Sequence, residues 1–268
     1  MRSRPRAAAL APLVDVDVLY VHGWSDYFFQ TELADFFTER GFAFYALDLR
    51  KCGRSRQDGH TGHFVSDLSL YDKELDQALA IVKEETGGKP VVVSGHSTGG
   101  LILALWLDRL NNRPGGTAGA GIVGMVLNSP WFDLQGKAWM RSVGTQAIAG
   151  VAKVKPTTPI NLPPTDAYGT SLHVSAHGEW DFNTTFKPLN GFPVTFGWLT
   201  AIRRGHAQLH KGLDVGVPSL VLRSSKTVFA RTWTEAVDEA DAVLDVKQIA
   251  RWAGCLGGAL TSLPIEGA

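Results

Sequence analysis

Cysteine is scarce in this sequence: Cys52 and Cys255 are the only two in 268 residues. That is too few for a disulfide scaffold and too widely spaced for a thiolate metal site, so a reducing, cytoplasmic setting is the expectation. An excess of either charge is also missing, with 26 Lys and Arg against 26 Asp and Glu. The balance removes electrostatic binding to nucleic acid or to an anionic membrane as a first reading. No uninterrupted apolar run approaches the ~18 residues of a membrane span, so integral membrane association is not expected. Charged residues make up only 19% and hydrophobic ones 44%, which excludes disorder and suits one large α/β domain at least as well as two small ones. Arg2, Arg4 and Arg6 ahead of an apolar stretch superficially match a secretory leader. Asp15 and Asp17 interrupt that stretch at once, so residues 1–13 read as a solvated basic tail.

What is present is a strand and helix rhythm. Val14 to Val21 is a β-branched run stopped by His22-Gly23, followed by apolar residues at helical spacing up to Arg40-Gly41. Phe42 to Leu49 is again strand-like, and a loop with His60 and His63 leads to an amphipathic helix over about 70–85, closed by Gly87-Gly88. Val91 to Ser94 is an apolar strand, and Ile122 to Leu127 another. Alternation of this kind predicts a doubly wound, mostly parallel sheet. From about Phe132 to Thr200 it breaks down into Pro, Gly, Thr and aromatic residues, which predicts a cap or lid inserted into the sheet domain. The expected organisation is therefore a sheet-domain core over 14–131, cap over 132–200 and core again over 201–268, where a helix to His210, the strand Val217 to Arg223, a helix from about Val246 to Ala253 and a last apolar segment from Ala259 to Ile265 follow.

Gly95-His96-Ser97-Thr98-Gly99 matches G-x-S-x-G, with an apolar strand before it and a helix after. The turn is so tight that the residues two before and two after the serine must lack side chains. Ser97 Oγ is thereby lifted above the sheet at a helix N-terminus, where backbone N–H groups and the helix dipole favour a developing oxyanion. The amide of Thr98 points into the same space.

With two further motifs in the expected order, the chain resembles the α/β-hydrolase superfamily, in its capped lipase, esterase and serine-aminopeptidase-like branch of monoglyceride-lipase type. His22-Gly23-Trp24 resembles the family's H-G-x oxyanion turn, and Asp48-Leu49-Arg50 with Gly53 and Ser55 resembles its D-x-R-x-x-G-x-S loop. The resemblance implies an ester hydrolase that works through an acyl-enzyme at Ser97, with the backbone N–H groups of Trp24 and Thr98 as oxyanion hole and no cofactor. The substrate would be a small acyl ester or, on the aminopeptidase reading, a short peptide. His22 is expected to brace the turn. His96 lies one residue from Ser97 and cannot reach round to act as its base.

The acid should follow the strand Val217 to Arg223, but Ser224-Ser225-Lys226-Thr227 stands there. Asp238, Asp241 and Asp245 are the candidates, and Asp241-Ala242-Val243 is most similar to the family's D-x-V turn, so Asp241 is preferred. The base is missing. The resemblance implies a histidine in the loop after the last strand, yet no histidine follows His210. The family also places two strands ahead of the His-Gly turn, where only 21 residues stand here. The expectation is a hydrolase core clipped at both ends, with only the residual catalysis left by loss of a triad member, ~10³–10⁴-fold over water. A catalytically inactive pocket protein is the competing outcome.

Other patterns carry less. Gly119-Ala120-Gly121-Ile122-Val123-Gly124 matches G-x-G-x-x-G but precedes a strand, so no dinucleotide site is expected. His60 with His63, His173 with His177 and His206 with His210 lack a third ligand at a telling spacing, so no metal is expected. The aromatic residues between Trp131 and Trp198 could roof the serine for an acyl chain, although most are expected to form the cap's own core. Glu179 and Asp181 are the carboxylates that an aminopeptidase reading would place against a substrate amine, and are otherwise expected in solvent.

Overall fold

A computed structural model describes residues 2–3, 15–135, 145–146, 148–163 and 165–267. Seven strands form one sheet in the order β1-β3-β2-β4-β5-β6-β7. They are β1 (Arg2–Ser3), β2 (Asp17–Val21), β3 (Phe44–Leu47), β4 (Val91–His96), β5 (Ile122–Asn128), β6 (Ser219–Ser224) and β7 (Leu260–Ile265). Every neighbouring pair from β3 to β7 is parallel, and β1 alone runs antiparallel, against β3. Arg2 and Ser3 therefore do not lie in a free tail; an edge strand offers unpaired backbone groups, and these two residues take them.

The helices used below are α1 (Thr31–Thr38), α2 (Asp72–Thr86), α3 (Thr98–Asn111), α4 (Ala167–Leu172), α5 (Phe196–Leu209) and α6 (Val246–Ala253). The period of two along a strand divides the core. Leu19 and Val21 of β2 point to one face, where they join Leu75 and Leu79 of α2, Leu101 and Leu105 of α3, Ile202 of α5 and Ile249 of α6. Val18 and Tyr20 point to the other, with Phe28, Ala34 of α1, and Phe44 and Ala46 of β3. Helices on both faces make the sheet doubly wound. β4 lies near its centre, flanked by β2 and β5, and Gly87 closes α2 in the left-handed conformation.

Between β5 and β6 no strand of the sheet is found among the described residues. α5 begins at Phe196, inside the stretch assigned from sequence to the insertion, and its Ile202 and Leu209 join the main core. The G-x-G-x-x-G stretch falls on a short helical turn, Gly116–Gly119, and the start of β5.

Candidate active site

β4 delivers the chain to Ser97 and α3 carries it away. Ser97 has φ 52° and ψ −120°, a conformation that costs a non-glycine residue on the order of 1–3 kcal/mol and persists only where its surroundings fix it. Three backbone hydrogen bonds do so here. Ser97 N–H donates to Asn128 O (3.0 Å), and its carbonyl accepts from Gly100 and Trp131 N–H (3.0 Å each). The flanking glycines are required sterically. A Cβ on Gly99 would stand 2.4 Å from His22 O and 2.5 Å from Val21 O, and one on Gly95 would stand 2.8 Å from Leu103 Cδ1.

The turn after β2 meets this elbow from the side. A Cβ on Gly23 would lie 3.1 Å from Ser97 Cβ, so the Gly23-Trp24 peptide and the Thr98 amide at the head of α3 converge beside the serine. Among the described residues neither Trp24 N–H nor Thr98 N–H has an acceptor. Such free, fixed donors are what an oxyanion needs. His22 braces the turn: its Nε2 accepts from Leu49 N–H (3.1 Å) and its Nδ1 donates to Gly23 O (2.7 Å). The Asp48 to Ser55 loop is itself cross-tied. Asp48 accepts from Phe28 N–H, Arg54 N–H and the Arg54 guanidinium, and Ser55 Oγ donates to Asp48 O. At Gly53, with φ 45°, a Cβ would stand 2.5 Å from Tyr27 Cβ.

Asp241 stands at the same edge of the sheet. It bridges Thr227, and its Oδ1 accepts from Val243 N–H (2.9 Å) and Leu244 N–H (2.7 Å). Burial raises its pKa above the ordinary carboxylate value, against the pull of those two amides, of nearby His96 and of the Ser129 hydroxyl. Ser129, at φ 43°, lies between Asn128 and Trp131, the residues that anchor the Ser97 backbone. Asp245 instead caps α6 through Lys247 N–H, and exposed Asp238 accepts from Trp233 Nε1.

None of the eight histidines hydrogen-bonds Ser97 Oγ. His63 Nδ1 accepts from Ser25 N–H (3.2 Å) and meets Cys52 Sγ (3.1 Å), and burial lowers its pKa to about 3. His206 is held by Trp131 O and Arg203, and burial, aided by the Arg203 charge, lowers its pKa to about 3. His210 binds Phe132 O and stacks on Trp252. His173 binds Phe182 O, His60 caps the Gln57 turn and His177 stacks on Trp233. His96 Nδ1 is buried without a partner, and burial lowers its pKa. Among the described residues no cluster of His, Cys, Asp or Glu could hold a metal.

The aromatic residues mostly contact one another and the core. Trp24 packs on Trp198 (4.9 Å between centroids), Trp198 on Trp131 (5.8 Å), and Phe29 on Phe182 (4.8 Å); Trp139 lies outside the described residues. Beneath Trp24 and Thr98 a cavity of about 10 Å³ reaches Cys52 and His63, at the lower limit for one water. Glu179 and Asp181 are exposed.

One feature has no signal in the sequence. Lys187 Nζ donates to Asp26 Oδ1 at 3.0 Å, with both side chains 5% exposed or less. Burial opposes the charge on each, but mutual attraction wins: Asp26 is held below the ordinary carboxylate pKa and Lys187 above the ordinary amine value. The ammonium also faces the rings of Tyr168, Phe29 and Phe182 at 5.1, 5.6 and 5.7 Å.

Comparison with known proteins agrees with this fold. The family described as Serine aminopeptidase, S33 matches residues 14–238. No curated protein matches the sequence. Among solved structures, a soluble variant of monoglyceride lipase from Saccharomyces cerevisiae, in complex with a substrate analog, is similar with a TM-score of 0.68 and 17% identity, over 98% of this chain and 81% of that one. Monoacylglycerol lipase from Paleococcus ferrophilus gives 0.66 and 14%, over 98% and 88%. A carboxyl esterase from Bacillus coagulans gives 0.59 and 15%, over 98% and 83%. Among the described residues no helix is long and apolar enough to cross a membrane. With a parallel sheet, a strained serine between strand and helix, and a family match over most of its length, the chain belongs to the serine aminopeptidase S33 family of α/β-hydrolases.

Proposed function

We propose that this chain is a carboxylic-ester hydrolase of lipase or esterase type, with Ser97 as nucleophile and its activity limited by the lack of a histidine base. The observation that carries the reading is the strained Ser97 held beside two amides, Trp24 and Thr98, that have no acceptor among the described residues. Ser97 Oγ attacks the acyl carbon and the carbonyl oxygen takes the negative charge in the reach of those amides. With no imidazole placed to take it, the serine proton passes to solvent water, the alcohol departs with a proton from solvent, and a second water then cleaves the acyl-enzyme to release the acid and restore the serine hydroxyl. Asp241 is the acid that would orient such a base, because it alone of the three candidates is tied to the segment anchoring Ser97. The segment over 132–200 acts as the cap. With His22 committed to Leu49 and Gly23, and His206 to Trp131 and Arg203, the chain's own imidazoles leave the serine proton without an acceptor. Small acyl esters are the proposed substrates; exposed Glu179 and Asp181 give the peptide alternative no enclosed amine site.

Reaction with a fluorophosphonate followed by peptide mass spectrometry tests the nucleophile. Slow labelling confined to Ser97, and absent from Ser97→Ala, is expected. Labelling at another residue, or none, would overturn the assignment.

A further inference from the structure

We propose that Lys187 is a positioning residue for the oxyanion turn: its ion pair with Asp26 holds the Ser25-Asp26-Tyr27 turn, and with it the Trp24 N–H, in the orientation that faces Ser97. The inference rests on the reading of Ser97 as nucleophile.

Three consecutive residues after Trp24 are each tied to one distant stretch of chain. Ser25 Oγ accepts from Phe192 N–H (2.9 Å), Asp26 Oδ1 accepts from Lys187 Nζ (3.0 Å), and Tyr27 OH accepts from Asn183 N–H (2.8 Å). Ser25 itself is in the left-handed region at φ 54°. Its relaxed alternatives would turn the Trp24–Ser25 peptide, one Cα away from the Trp24 N–H, so the turn keeps its shape only while outside contacts over-determine it. His63 supplies one of them from the core, and the 183–192 segment supplies the other three. Of these the Lys187 contact is the only one between full charges, and both are buried. A charge left there alone would draw in water or expel the segment.

The test separates positioning from mere avoidance of a buried charge. Lys187→Met strands Asp26, whereas Asp26→Asn with Lys187→Met removes both charges and lets the fold recover. In saturation kinetics of fluorophosphonate labelling, both variants are expected to lose about 10- to 100-fold in the maximal rate while the half-saturating concentration stays within about 3-fold. The double variant is expected to regain the parent Tm to within about 3 °C, yet remain slow. Recovery of the parent rate in the double variant would overturn the proposal. If the parent chain itself is not labelled, the nucleophile reading fails and the clamp is still read from the ¹⁵N–¹H resonance of Trp24. A shifted, broadened Trp24 amide in both variants supports the clamp, and an unchanged one contradicts it.

Discussion

Gly99 shows how little freedom the elbow has. With two backbone oxygens within 2.5 Å of any added Cβ, Gly99→Ala is expected to cost about 3 kcal/mol or more in urea unfolding. Gly119→Ala, where a Cβ meets nothing within 4 Å, should change stability by less than about 0.5 kcal/mol. Asp241 offers a test of opposite sign. Its carboxyl is harder to ionise in the fold than in the unfolded chain, so the unfolded state releases its proton first and stability falls as pH rises from 3.8 through the higher folded pKa. Asp241→Asn keeps an acceptor for the Val243 and Leu244 amides and should leave the protein at least as stable as the parent at pH 7. A loss of stability there, measured by urea melts, would contradict the pKa argument. Gly95 and Gly99 are legible in the sequence because the demand on them is local: a sharp turn dictates its glycines wherever it occurs, whereas Asp241 is singled out only by the family resemblance. Asp26 and Lys187 are not legible, since 161 positions separate them and nothing about either neighbourhood marks it as paired.

The helices and loops around the site carry two histidines that matter for acid stability. His206 on α5 and His63 in the loop before α2 are neutral in the fold, with pKa about 3 against 6.5 in the unfolded chain. The unfolded state therefore binds two more protons as pH falls below 6.5, and the stabilisation present above that pH is lost progressively down to about 3. Near pH 5 the two together should give a slope of about 2.7 kcal/mol per pH unit. His206→Gln, which keeps a donor for Trp131 O, is expected to halve that slope; an unchanged slope would mean that His206 protonates within the fold. Periodicity marks α2 and α6, because each presents an apolar face of the right period to one core, whereas β4 and α3, the latter buried on all sides from Thr98 to Leu107, are marked by the apolar strand and the G-x-S-x-G turn between them. Arg2–Ser3 was misread as tail, since two residues on a sheet edge leave no pattern. The stretch from about Phe132 to Thr200 is marked in the sequence only by the failure of the rhythm; among its described residues the contacts are scattered, such as Phe182 on Phe29 and Phe192 on His63.

The fold and the family agree: the architecture of this chain matches that of two lipases and an esterase, with TM-scores of 0.59 to 0.68 at only 14–17% identity. Such low identity conveys architecture and leaves chemistry to the individual residues. In the proposed reading Ser97 is the nucleophile, the Trp24 and Thr98 amides are the oxyanion donors and Asp241 is the acid, while none of the eight histidines hydrogen-bonds Ser97 Oγ. That contrast defines the account, a serine held ready for attack without a group to take its proton. It is tested most directly by the second-order rate of fluorophosphonate labelling at Ser97, with and without added imidazole at neutral pH. The account predicts slow labelling that rises with imidazole concentration and vanishes in Ser97→Ala. Fast labelling indifferent to imidazole would show that the chain already holds a base and would contradict it.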